Sequence, residues 1–182
     1  VEAFLHATKA TTRLGKIEDG TTASDYDDEE NRRKISIYTS VIPIEHREHK
    51  INILDAPGYT DFVGEIVSAL SVADGAIFLV DAVSGIEVGT ELAWRYADDF
   101  NLPRFFVINK MDRDNANFEE TYESIEAFVK AHGKRAIKVH LPIGEKAGFK
   151  GVVDIIGMKS YMGDGNTIAE IPAELKEAAE QA

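Results

Sequence analysis

Apolar residues fall along the chain in two alternating rhythms, one of short unbroken runs and one of helical spacing. Residues 51–54, 75–80 (GAIFLV) and 103–108 (PRFFVI) are the apolar runs. The last two are continuous enough to predict parallel strands covered on both faces. Between them, 62–72 carries apolar positions at 62, 63, 66, 67, 69 and 70, which is helical spacing, and 87–100 reads as a second helix. A third helix is predicted over 117–132, opened by Asn117 as N-cap with Glu119 and Glu120 in its first turn and ended by Gly133.

The N-terminal third is less regular. Residues 1–10 suit a short amphipathic helix. From 11 to 31 the pattern dissolves into Thr, Gly and Asp, with the acidic run 25–30, and predicts a long polar loop. Residues 35–44 alternate and are β-branched, so they predict a strand joined by a turn at 46–50 to the strand at 51–54.

Strand and helix alternate from 51 to 132, which implies right-handed crossovers and an α/β fold with a doubly wound, mostly parallel sheet. Beyond 142 the rhythm changes to short β-like pieces (151–156 and 158–162), a Gly-rich turn and a charged helix from Pro172. A boundary is expected near 141–145. That gives a first domain over 1–140 and the beginning of an inserted α+β subdomain over 141–182.

Composition narrows the class without choosing a function. The 182 residues can bury one core, and the absence of cysteine removes disulfides and thiolate metal sites, which suits a cytoplasmic protein. No apolar run approaches the ~18 residues that cross a bilayer, so no membrane partner is expected. A net charge of −12 opposes a general grip on nucleic acid, and no direct DNA binding is expected. The chain opens Val1-Glu2-Ala3-Phe4-Leu5, with neither an initiator Met nor a signal segment, and is expected to be a piece whose beginning lies upstream.

The chemistry concentrates in two motifs that each end an apolar strand. Asp55-Ala56-Pro57-Gly58 follows 51–54, and Asn109-Lys110-Met111-Asp112 follows 103–108. In a doubly wound sheet ligands sit at the carboxyl ends of strands, so both motifs fall on the functional edge. Asp55 can hold Mg²⁺ through a water, and the Gly58 N–H can reach a γ-phosphate, an interaction that hydrolysis removes. The Asp112 carboxylate can accept from guanine N1–H and N2–H₂, a donor pair adenine lacks. Asn109 and Lys110 would brace the base. A lone Asp-x-x-Gly is a common turn; the pair of motifs, each after an apolar strand, is what points to a guanine-nucleotide site.

Other residue types point to blander roles. His6, His46, His49, His132 and His140 lack metal-ligand spacing. The acidic run 25–30 reads as a solvated loop. Arg32-Arg33-Lys34 could touch phosphate, and Trp94 and Tyr96 read as packing.

Three runs carry a resemblance to translational GTPases, most closely elongation factor G and its paralogues: 51–62, 80–87 (VDAVSGIE) and 107–113 (VINKMDR). Leu141-Pro142-Ile143-Gly144, followed by 149–154, resembles the entry to the inserted subdomain of elongation factor G. The resemblance implies a P-loop GTPase fold, GTP or GDP with Mg²⁺ as ligands, and the ribosome as partner of a full-length parent. On it, Asp55, Ala56, Pro57, Gly58, Tyr59, Asn109, Lys110, Met111 and Asp112 contact nucleotide, while Ser36 and Asp55 serve Mg²⁺.

Three departures from the family pattern matter. Its phosphate loop, G-x-x-x-x-G-K-[ST], would lie just before Val1 and is absent from the sequence, as is the strand leading into it. That strand belongs between the 51 and 75 strands, and the sheet is therefore expected to lack its first strand. The family places a His after Asp-x-x-Gly to orient the attacking water; Tyr59 stands there, and a phenol with a pKa near 10 implies slow or altered hydrolysis. Ser36 replaces the first-switch threonine and keeps the hydroxyl a Mg²⁺ ligand needs. The parent is expected to be a GTPase and this stretch alone inactive. Two rivals stand beside this reading: a GTP-binding regulator with weak or no hydrolysis, and a scaffold module without nucleotide.

Overall fold

The computed structural model describes residues 1–163, 165 and 167–181. Asp164 and Asn166 of the expected Gly-rich turn, and Ala182, lie outside the described residues. The fold is mixed α/β, with paired strands and helices in two compact units: Val1–Ala76 with Val88–Arg104, and Ile77–Glu87 with Phe105–Ala182.

The first unit opens with α1 (Glu2–Ala7), whose Leu5 packs with Ile42 and Ile44 in a small core that Val1 and Ile53 border. The stretch expected to be only loop contains a further helix, α2 (Asp28–Arg33). Its acidic residues are a capping box: the Asp27 carboxylate accepts from Glu29 N–H at 2.8 Å, and Glu30 reaches back to Asp27 N–H at 3.0 Å. The signal Asp-x-x-Glu was in the sequence, hidden inside a run of like charge. Arg32 and Arg33 both pair with Glu29 and pull its carboxyl down to about 2.

The predicted strand 35–44 is displaced, running as β1 (Ser40–His46). The fully buried Glu30 carboxylate takes the Ile37 and Tyr38 N–H groups at 2.9 and 3.0 Å, removing them from any strand ladder. β1 pairs antiparallel with β2 (His49–Asp55) through a two-residue loop, with Arg47 and Glu48 at φ 46° and 64°. Both central residues in the left-handed region give a type I′ turn, the form that matches strand twist. Pro43 sits in β1 without a ladder donor, a placement suited to an edge strand. A 3-10 turn (Thr60–Phe62) leads into α3 (Val63–Leu70), which packs against α4 (Val88–Asp99). Trp94 of α4 is buried, with the Arg104 guanidinium 4.2 Å above its ring.

The second unit is built on β3 (Ala76–Asp81) and β4 (Arg104–Asn109), which pair with each other. Hydrogen bonds from Ala76 N–H to Pro103 and from Ala82 N–H to Asn109 advance in the same direction along both strands, so the pair is parallel. Contrary to the expectation from their unbroken apolar runs, these strands are not covered on both faces. Phe78 and Val80 are buried, whereas Ile77, Leu79, Phe105 and Val107 are exposed. Apolarity on both sides of a strand states what could be covered; the alternation in burial comes from what packs there.

α5 (Phe118–Ala131) starts where Asn117 caps it, its side chain accepting from Glu120 N–H at 3.2 Å. A four-stranded antiparallel sheet follows: β5 (His140–Ile143), β6 (Gly151–Asp154), β7 (Lys159–Met162) and β8 (Thr167–Ala169), then α6 (Ala173–Gln181). Its core joins Leu141, Ile143 and Val153 to Ile171 and Ala179. β5 is too short and too interrupted by Pro142 to be read as a strand from sequence.

Candidate functional site

In the first unit, Asp55 closes β2 opposite Ser40, and the Ser40 hydroxyl donates to the Ser24 carbonyl. Burial pushes the Asp55 carboxyl up from its usual range; the Asp25 and Glu2 carboxylates add to the rise, and a hydrogen bond from Ser24 works against it. Ser36 donates to Asp25 Oδ1 at 2.6 Å, and Thr22 takes the other Asp25 oxygen at 3.1 Å. Thus Asp55 and Ser36 bond to consecutive loop residues, Ser24 and Asp25. Glu2 holds that loop to α1, accepting from Gly15 N–H at 2.8 Å and Ala23 N–H at 2.7 Å.

Beyond Asp55, Ala56 is half-buried, Pro57 is buried and Gly58 is exposed. Tyr59 is 56% exposed and begins the 3-10 turn without a side-chain capping bond. The first turn of α4 approaches this segment closely: a Cβ on Gly89 would stand 3.1 Å from the Gly58 carbonyl. Nothing in the sequence marks Gly89, whose role is visible only in that approach.

A carboxylate and a hydroxyl form an all-oxygen donor pair, which suits a hard cation that keeps several waters. Asp55 and Ser36 therefore fit Mg²⁺ in kind. Among the described residues no three His, Cys, Asp or Glu side chains converge as a metal cage.

The second unit holds the other motif. Asn109 ends β4, its carbonyl accepting from Ala82 N–H at 2.9 Å. Lys110 adopts φ 60°, a left-handed conformation costing a lysine about 1 kcal/mol, and so turns the chain sharply off the strand. Its Nζ donates to Asp81 Oδ2 at 2.8 Å. Met111 then dives into a cluster with Ala82 and Ala116, and its carbonyl accepts from Lys146 N–H at 2.8 Å. Asp112 re-emerges exposed, on a shallow open depression lined by Val83, Asp112, Arg113, Asp114 and Asn115. The Ala82 carbonyl ties this loop to α5, accepting from Asn117 N–H and from Thr121 Oγ1, each at 3.1 Å.

Asp81 carries no signal of its own in the sequence, although it stands in the run 80–87. Hydrogen bonding from Lys110, aided by the Val83 N–H and the nearby Arg113, holds its carboxyl below the usual range.

The elongation factor Tu GTP-binding domain model matches residues 1–176. Elongation factor G of Granulibacter bethesdensis is 36% identical over 98% of this chain, which spans 26% of that protein. Elongation factor G of Fervidobacterium nodosum is 37% identical over the whole chain, again 26% of its length. A crystal structure of a protein from Thermus thermophilus matches with a TM-score of 0.87 and 37% identity, over 99% of this chain and 27% of that one. The chain spans about a quarter of the length of these relatives. A domain model matched almost from end to end settles the family: the chain belongs to the elongation factor Tu GTP-binding domain family.

Proposed function

We propose that this chain is the guanine-nucleotide-binding, switch-bearing part of a translation elongation GTPase of the elongation factor G type. On this reading its full-length protein is cytoplasmic and couples GTP hydrolysis to a conformational change on the ribosome. The observation that carries the reading is the Asn109–Asp112 turn. It leaves a parallel strand through a left-handed Lys110, buries Met111 and presents the Asp112 carboxylate on an open depression. An exposed carboxylate held on a rigid turn is what reading guanine N1–H and N2–H₂ requires.

In this scheme Asn109 and Lys110 brace the base, Gly58 N–H senses the γ-phosphate and Tyr59 faces the attacking water. Asp55 and Ser36 would hold Mg²⁺, which when bound neutralises charge on the phosphates. Ser36 donates its proton to Asp25 and Asp55 accepts from Ser24, so both oxygens keep lone pairs for a cation while these bonds orient them. The scheme also takes the parallel pair β3 and β4 as part of a doubly wound, mostly parallel sheet of the P-loop GTPase type. It treats 1–140 as GTP-binding domain and 141–182 as the beginning of an inserted subdomain, a division supported by the separate antiparallel sheet from His140.

Calorimetric titration of the full-length protein tests this. GDP and GTP are expected to bind with clear preference over ADP and ATP. Asp112→Asn should lose guanine affinity and gain xanthine nucleotide, whose 2-carbonyl accepts where guanine donates. Equal affinity for adenine and guanine nucleotides would end the proposal.

A further inference from the structure

We propose that Asp81 is a positioning residue for guanine recognition, clamping both ends of the turn that carries Asp112. The inference rests on the nucleotide-site reading above and adds a residue to it. The turn Lys110–Arg113 is closed by Arg113 N–H donating to the Lys110 carbonyl at 3.1 Å. A single oxygen, Asp81 Oδ2, accepts from Lys110 Nζ at 2.8 Å and lies 3.4 Å from Arg113 Nη1. Asp112 lies between the two residues so held.

The other Asp81 oxygen accepts from Val83 N–H at 2.9 Å, fixing the carboxylate to the exit of β3. The clamp therefore joins the ends of two neighbouring strands across 29 residues of sequence. Asp81 keeps 14% of its side chain exposed while Lys110 and Arg113 keep 45% and 56%, so solvent screens the charges and the clamp acts through its fixed geometry. Backbone bonds hold the turn at Asn109 and Met111 on the strand side and, through Ala116 N–H at 3.0 Å, at the Arg113 carbonyl. Asp81 adds a side-chain hold on the residues either side of the reading carboxylate, Lys110 and Arg113. A lysine kept in a left-handed conformation gains a reason to stay there when its ammonium is tied down.

The test is a double-mutant cycle in the full-length protein, read as the GDP dissociation constant and the GDP over ADP preference. Asp81→Asn keeps an oxygen for Val83 N–H and removes the charge. It is expected to weaken GDP binding about tenfold and to lower the preference for guanine, with little change in melting temperature. In a Lys110→Ala, Arg113→Ala background the same Asp81→Asn change should cost nothing further. Wild-type affinity and preference in Asp81→Asn would overturn the inference while leaving the nucleotide site standing. So would an equal loss in both backgrounds, since Asp81 would then act through general structure. Failure of the unmutated protein to prefer guanine would instead overturn the underlying reading.

Discussion

Removing the Glu30 carboxylate should loosen the segment that carries Ser36 by an amount that depends on how many acceptors remain. Glu30 is fully buried, and its two oxygens accept from three backbone N–H groups: Ile37 and Tyr38 on Oε1, Asp27 on Oε2. Leaving a buried donor without a partner costs about 1–3 kcal/mol. Glu30→Ala strips all three, though water can reach part of this half-exposed stretch, so a loss of about 3 kcal/mol is expected. Glu30→Gln can keep an oxygen where Oε1 stands and so retain the Ile37 and Tyr38 bonds, while its amide group confronts the Asp27 N–H. It should lose about 1–2 kcal/mol. Hydrogen exchange at the Ile37 and Tyr38 amides reads this directly. Protection should fall about a hundredfold in the Ala variant and about tenfold in the Gln variant. Burial raises the Glu30 carboxyl, but the N–H donors of Ile37, Tyr38 and Asp27 more than reverse it, leaving a net depression. A depressed carboxyl adds stability above its unfolded value near 4.3, and that stability is lost as pH falls through the folded value. The gap between wild type and Glu30→Ala should therefore close in acid. Unchanged protection in Glu30→Ala, or a Gln variant as damaged as the Ala variant, would refute the reasoning.

Asp55 carries the opposite sign: its raised carboxyl binds a proton more tightly in the folded chain, so stability declines as pH rises through that value. Without nucleotide, Asp55→Asn should raise the melting temperature at pH 7 and lose that advantage in acid, while abolishing Mg²⁺-dependent GTP affinity; destabilisation at pH 7 would contradict this. Gly89→Ala places a methyl 3.1 Å from the Gly58 carbonyl, which must give by a few tenths of an ångström. Helix propensity favours the alanine by about 1 kcal/mol, so stability should hold while discrimination of GTP from GDP declines; an unchanged GTP-to-GDP affinity ratio refutes it. Tyr59→His should raise ribosome-stimulated GTP hydrolysis of the full-length protein at least about tenfold, measured as phosphate release. No increase would mean that Tyr59 does not face the water.

The sequence by itself determined the α/β character, the helix opened by Asn117 and the placing of both motifs at strand ends. Each depends on local periodicity or on a cap, and local forces suffice to set them. It also carried the family, because strand-end motifs of fixed residue type are short and contiguous. Only the tertiary structure decided that Glu30 is a buried acceptor and not part of a solvated acidic run. Only it moved the start of β1 to Ser40, exposed one apolar face of β3 and β4, and brought Asp81 to Lys110. Those outcomes turn on which donors and carboxylates meet across long separations. A residue pattern records the chemistry of each partner, but the meeting is fixed by packing.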